Sequence, residues 1–158
     1  MKKIPFLLVL VFLGLAVQAD YPVPLGDRFF RALITQDFVQ ADRLLAQGVK
    51  LNEGGGFVGR SLFYELFLFS KQLPDGATLR IAKYLLSRGA DANFHYWYED
   101  NTLPLSLTYH IRTDAEYDAV LRLMVAHHAD LNDYDRHGAT VLSYQTGLAH
   151  IPEGRASF

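Results

Sequence analysis

The feature that most constrains this chain is that it repeats itself. Three twelve-residue segments line up without gaps: Ala41–Asn52 (ADRLLAQGVKLN), Ala82–Asn93 (AKYLLSRGADAN) and Leu121–Asn132 (LRLMVAHHADLN). In each, the tail of an amphipathic helix runs into a turn and closes on Asn. Gly48 and Gly89 stand where a helix C-terminus takes left-handed backbone, which glycine adopts without a Cβ clash. The third copy carries His128 at that position, where strain is expected. One helix-and-turn unit cannot bury its own apolar face, whereas stacked copies can, so the repeat points to an array. Leu44, Leu45, Leu85, Leu86, Leu123 and Met124 are the expected interior seam.

An apolar helix followed by Gly-Ala-x-x-Asn resembles the end of an ankyrin repeat. The start of that unit, Asp-x-x-Gly-x-Thr-Pro-Leu, is similar to Asp135–Leu142 (DRHGATVL), more weakly to Glu99–Leu105 (EDNTLPL), and more weakly still to Gly59–Phe63 (GRSLF). The resemblance covers essentially all of the chain after its first nineteen residues. It implies an all-α fold, a solenoid of about four stacked helix-turn-helix units joined by hairpin fingers. Those units fall at about 22–52, 53–93 and 94–132, with a shorter capping unit at 133–150. Together they form a domain over 20–150, and a flexible tail follows at 151–158.

The spacing departs from the regular 33-residue unit. Asn52 to Asn93 spans 41 residues and Asn93 to Asn132 spans 39. Counting from each Asn to the apolar residue of the next unit gives 11 (Phe63), 12 (Leu105) and 10 (Leu142). That count assigns one and two extra residues to the first two fingers. The remaining seven and four are expected in loops between paired helices, around Ser70–Gly76 and around Arg112–Asp114. Helix pairs are then expected near Asp27–Thr35 with Phe38–Gln47, Leu62–Phe69 with Thr78–Arg88, and Pro104–His110 with Ala115–His127. A last short helix, near Val141–Ala149, lacks a partner and is expected to cap the stack.

The first nineteen residues belong to a different kind of segment. Lys2 and Lys3 precede an apolar stretch from Ile4 to Val17, and Val17-Gln18-Ala19 supplies small residues at the two positions a signal peptidase reads. The stretch is short of the roughly 20 residues that span a bilayer. A signal peptide over 1–19, cleaved after Ala19, is the expectation, with an uncleaved anchor as the competing reading. A lipid anchor on cysteine is excluded, because the chain has no cysteine. The leader is of a bacterial kind, so the expected compartment is the periplasm.

Removing Lys2 and Lys3 changes the charge balance from 15 basic and 17 acidic residues to 13 and 17. An acidic domain lacks the basic footprint that nucleic acid requires. An exported chain without cysteine has no disulfide staples and must be held by apolar burial. The six histidines (His95, His110, His127, His128, His137 and His150) show no metal-ligand spacing, and adjacent His127 and His128 point in different directions on a helix. Gly54-Gly55-Gly56 with Gly59 lacks the Gly-Lys-Ser/Thr ending of a phosphate loop. Ser61 and Ser143 lack a nucleophile-elbow context. No catalytic residues, metal or cofactor are therefore expected.

The sequence does hold an aromatic cluster, Phe94-His95-Tyr96-Trp97-Tyr98-Glu99-Asp100, in the finger between the second and third units. Tyr and Trp join large apolar area to a hydrogen-bonding tip and recur at binding hot spots. The expected partner-binding set is Tyr96, Trp97, Tyr98 and Glu99, extended by Tyr109 and His110 on the following helix and by Tyr134, Arg136 and His137 on the next finger. The competing reading packs the aromatic rings against the inserted loops. The family resemblance implies a non-enzymatic, monomeric protein that binds another protein, with no membrane contact after cleavage. An immunity protein that neutralises a secreted antibacterial effector is favoured; the alternative is a scaffold or protective factor for a resident enzyme, for example in oxidative-stress defence.

Overall fold

The computed structural model describes residues 23–53, 61–96, 101–111, 113–135 and 137–145, with the side chains of His95, Tyr96, Asn101, Tyr109 and Gln145 outside that description. The described chain is all-α, with one short strand pair. Its helices are α1 (Leu25–Ile34), α2 (Phe38–Ala46), α3 (Leu62–Phe69), α4 (Ala77–Ser87), α5 (Leu103–His110), α6 (Asp114–Ala126) and α7 (Val141–Gln145). The strands β1 (His95–Tyr96) and β2 (Asn101–Thr102) pair antiparallel, His95 opposite Thr102 and Tyr96 opposite Asn101. The expected signal segment and the expected tail at 151–158 lie outside the described residues.

Most helices start at a residue whose side chain satisfies an orphan N–H of the first turn. Asp37 accepts from the Gln40 N–H at 2.9 Å and Thr113 from the Glu116 N–H at 3.2 Å. Ser61, Thr102 and Thr140 accept from the N–H groups of Tyr64, Leu105 and Ser143 at 3.0, 3.3 and 3.3 Å. These three caps fix the true register of the fingers. From Asn52, Asn93 and Asn132 to the cap is nine, nine and eight residues, so each of the first two fingers is longer by one. The count through Leu105 gave two for the second, because Pro104, not Leu105, holds the place of Phe63 and Leu142.

The insertions between paired helices also resolve differently. Ser70–Gly76 does form a connection, opening with a 3-10 turn over Ser70–Gln72. No comparable loop exists around Arg112–Asp114. Only residues 111–113 separate α5 from α6, and the extra length goes into α6, which runs 13 residues against nine in α2. Thr113 and Glu116 stand at the spacing of a capping box, and the Thr113 cap starts the helix at Asp114, early enough to absorb the insertion.

The helices pack as pairs: α1 on α2, α3 on α4, α5 on α6. First helices form one row (α1, α3, α5, α7), and α4 packs on α6 in the second row. The sequence LFYELFLF of α3 is apolar nearly all round because Leu62, Phe63, Tyr64, Leu66 and Phe67 are all buried at the centre of the first row. Of the expected seam, Leu44, Leu85, Leu86 and Met124 are buried, while Leu45 and Leu123 are partly buried against the same core. Each fully buried Leu or Phe contributes about 1.5–3 kcal/mol.

A polar bridge repeats along the turns. The Asn52 carboxamide donates to the Gly89 carbonyl at 2.9 Å and accepts from the Asp91 N–H at 2.8 Å. Asn93 does the same with the His128 carbonyl (2.9 Å) and the Asp130 N–H (2.6 Å). Asp91 and Asp130 in turn accept from the N–H groups of Asn93 and Asn132, both at 2.8 Å. Left-handed backbone presents those carbonyls, with φ +89° at Gly89 and +66° at His128, and Gly48 takes φ +102° at the equivalent place. Histidine in that region is strained on the order of 1 kcal/mol.

Two outcomes follow. Asn93→Ala should destabilise the fold by about 1–3 kcal/mol in urea titration, since one residue carries both bonds of a bridge. His128→Gly should raise the midpoint, with a gain of about 0.5–1 kcal/mol once the greater freedom of the unfolded glycine is set against the relieved strain.

Candidate functional site

Of the expected binding residues, Tyr96, Tyr134 and His137 lie on the hairpin and turns, whereas Tyr109 and His110 lie at the far end of α5. The backbone of Tyr96 closes the β1–β2 pair against Asn101. Trp97, Tyr98 and Glu99, which follow it, lie outside the described residues, as does Arg136. Tyr109 sits on α5, between Thr108 and His110, with its side chain outside the description.

His110 is partly buried. Its ring meets Tyr64 edge-on, with centroids 6.1 Å apart and planes at 81°. Its carbonyl accepts from Ser70 Oγ at 2.6 Å, tying the end of α5 to the end of α3. This residue therefore takes part in packing the first row of helices as well as edging the surface.

Tyr134 and His137 are held by the turn between Asn132 and α7. Asp135, 8 % exposed, organises that turn: Oδ1 accepts from the N–H groups of His137 (2.8 Å) and Ala139 (3.0 Å). The Asp135 N–H donates to the Ala139 carbonyl at 3.0 Å, and Gly138 takes φ +76°, as the tight return requires. The turn holds Tyr134 out into solvent at 65 % exposure, with His137 exposed beside it. The bonds to Asp135 leave the backbone beside this exposed tyrosine little freedom.

A second cluster, with no local sequence signature, joins α2 to α4 on the opposite row. Arg88 grips Asp42 in bidentate fashion, Nε to Oδ1 and Nη2 to Oδ2 both at 2.8 Å, and the Tyr84 hydroxyl donates to Asp42 Oδ1 at 2.8 Å. The guanidinium lies 5.2 Å from the Tyr84 ring centre, and that ring stacks on Phe38 at 4.7 Å. Arg88 and Tyr84 hold the Asp42 carboxyl below its ordinary range. Burial, then the bond to Asp42, pushes the Tyr84 phenol up to about 12. Beside Arg88 an open groove of about 550 Å³ runs between the first two turns, but its polar groups are engaged: Asn52 in its bridge, Lys50 with Glu53 at 3.4 Å.

Among the described residues no group of three His, Asp or Glu side chains could hold a metal ion, and no helix is long and apolar enough to cross a membrane.

The Tyr84 phenol gives a pH signature. Its folded pKa lies above the unfolded value of 10.0, so its contribution is complete below pH 10 and is lost as the pH rises through about 12. The difference in thermal midpoint between the natural chain and Tyr84→Phe should be constant near neutral pH and close over that alkaline window.

Compared with known proteins, the chain matches no protein-family model and no curated protein.

Proposed function

We propose that this chain is an exported bacterial protein of the ankyrin-repeat type, which acts in the periplasm by binding another protein and performs no chemistry of its own. Three features support the repeat reading: paired helices stacked in rows, left-handed residues at equivalent turns, and an Asn bridge from each turn to the next. The leader before Asp20, with its basic start and Val17-Gln18-Ala19 end, supports export.

The observation that carries the binding reading is Tyr134. It stands 65 % exposed on a turn locked by a buried aspartate, on the edge that also carries the β1–β2 hairpin. Aromatic side chains presented on rigid backbone are the usual anchors of a protein interface. Asp91, Asp130 and Asp133 place acidic groups on the same edge, which favours a basic partner and fast association. A small acidic binder in the periplasm fits the role of an immunity protein, covering the active surface of a secreted antibacterial effector.

Replacing Trp97 and Tyr98 together with Ala should weaken partner binding by at least about 2 kcal/mol while leaving the helical circular dichroism signal unchanged. Unfolding of the double variant would place those rings in the core and remove the site. The partner recovered from periplasmic extract by the natural chain, and lost with the variant, decides the role. A secreted effector that kills cells lacking this protein supports immunity; a resident enzyme replaces that reading with the scaffold alternative.

A further inference from the structure

A stack of helix pairs is stable as a sum of units and joints, so a joint built unlike its neighbour can open by itself. The two joints between the three helix pairs are built differently. Helix packing is broad where α3 meets α5 and α4 meets α6, and thinner where the first pair meets the second. Aromatic contact at that first joint comes from partly buried rings. Phe30 meets Phe69 edge-on at 5.2 Å, and Phe38 stacks on Tyr84 at 4.7 Å.

Polar side chains make up the rest of the fastening described there. Arg80 and Tyr84 on α4 and Arg88 at its C-cap stand four residues apart, so they share one face. All three reach the first pair. The Arg80 Nε–H donates to Gln36 Oε1 at 2.6 Å, the Tyr84 hydroxyl donates to Asp42, and Arg88 holds both Asp42 oxygens. The turn that Arg80 reaches is strained, since Gln36 takes φ +58° with a full side chain. At the step from Asn93 to Asn132, 39 residues on, the places of Arg80, Tyr84 and Arg88 fall to Ala119, Leu123 and His127. Two of those side chains carry no polar group, so the clasp is not repeated at the second joint.

We propose that the first helix pair is an ionically latched unit, which leaves the stack ahead of the other pairs at a frequency set by Arg88 and Asp42. Phe29, Leu33 and Leu44 are fully buried, so opening is rare, and the latch decides how rare. The two side chains are 43 and 47 % exposed, so dissolved salt reaches them. Helices α1 and α2, of ten and nine residues, are too short to persist once released, so undocking unfolds them. Raised ionic strength therefore loosens this end and leaves the rest standing. The device is separate from the turn edge and does not rest on the reading given to Tyr134.

Ala41 on α2 and Ala82 on α4 hold equivalent places in the repeat, and both are fully buried. The natural chain has no cysteine, so Ala41→Cys or Ala82→Cys supplies a single thiol whose reaction with a thiol reagent counts openings. With rates taken relative to free cysteine, the thiol at 41 should react at least about tenfold faster than the thiol at 82. Met124→Ala, a cavity in α6 away from the first joint, should speed the thiol at 82 by about tenfold or more and leave the thiol at 41 unchanged. Val120→Ala is the smaller excision in the same helix, used if Met124→Ala does not fold. Arg88→Gln should speed the thiol at 41 by about tenfold. Sodium chloride at about 1 M should do the same to the natural latch and add little once Arg88→Gln is present. Hydrogen exchange of the natural chain, which needs no variant, should show α1 and α2 exchanging ahead of α4.

Equal protection of the two thiols, with α1, α2 and α4 exchanging together, makes the chain one cooperative unit and overturns the proposal. So does a cavity in α6 that speeds both thiols alike. A thiol at 41 indifferent to Arg88→Gln, or equally salt-sensitive with and without Arg88, leaves the ion pair no part in the joint and overturns the latch.

Discussion

Every helix among the described residues is too short to be stable alone. The longest runs 13 residues, no more than the roughly 12–15 at which isolated helices become marginal in water. Their persistence depends on burial between neighbours, and pairing within a unit leaves an apolar face over each time. That leftover face must be met by the next pair, so the fold can grow only by repetition. Helix α3 shows the constraint most plainly, since a segment as apolar as LFYELFLF is held in place by helices packed on several of its sides. The Asn bridges then set the step from one pair to the next, because two bonds from one carboxamide fix both spacing and direction.

The same constraint divides the surface into regions with different work. The helix rows are committed to one another, and the turn edge is left free to vary. On that edge the fold uses side chains economically: Asp91 and Asp130 close their own turns while contributing to an acidic border. Asp135 gives up its exposure to brace a loop, and Tyr134 gains a fixed platform in return. A binding surface of the proposed kind needs no cavity, and the polar groups around the groove beside Arg88 are engaged with one another.

Much of the helix pattern was legible because its signals are local. Gly48 and Gly89 mark turns by their own chemistry, and each expected helix start among the described elements lies within two residues of the observed one. The register of the second finger was misread because Leu105 is apolar like Leu142, yet Thr102 and Thr140 set the count through their caps. The insertion before α6 was read as a loop although Thr113-Asp114-Ala115-Glu116 carries a helix-start spacing. The Asp42–Tyr84–Arg88 cluster could not be read at all. Its members lie 42 and 46 residues apart across a junction, and no periodicity announces a pairing at that range. At the last turn, Tyr134 and His137 are placed in solvent, while His110, at the far end of α5, shares in packing against Tyr64.

That cluster also makes the joints of the stack unequal. Between the first two pairs, the second row is riveted by a two-pronged ion pair, a phenol and a ring stack. At the next joint the described ion pair, Asp118 with Arg122, lies within one helix and spans nothing. Arrays of this sort flex like a coiled strip, by opening and closing the spaces between successive turns. Here helix packing is thinner across the first joint than across the second, where α3 meets α5 and α4 meets α6, so the Asp42 cluster adds a polar fastening at the joint with less helix contact.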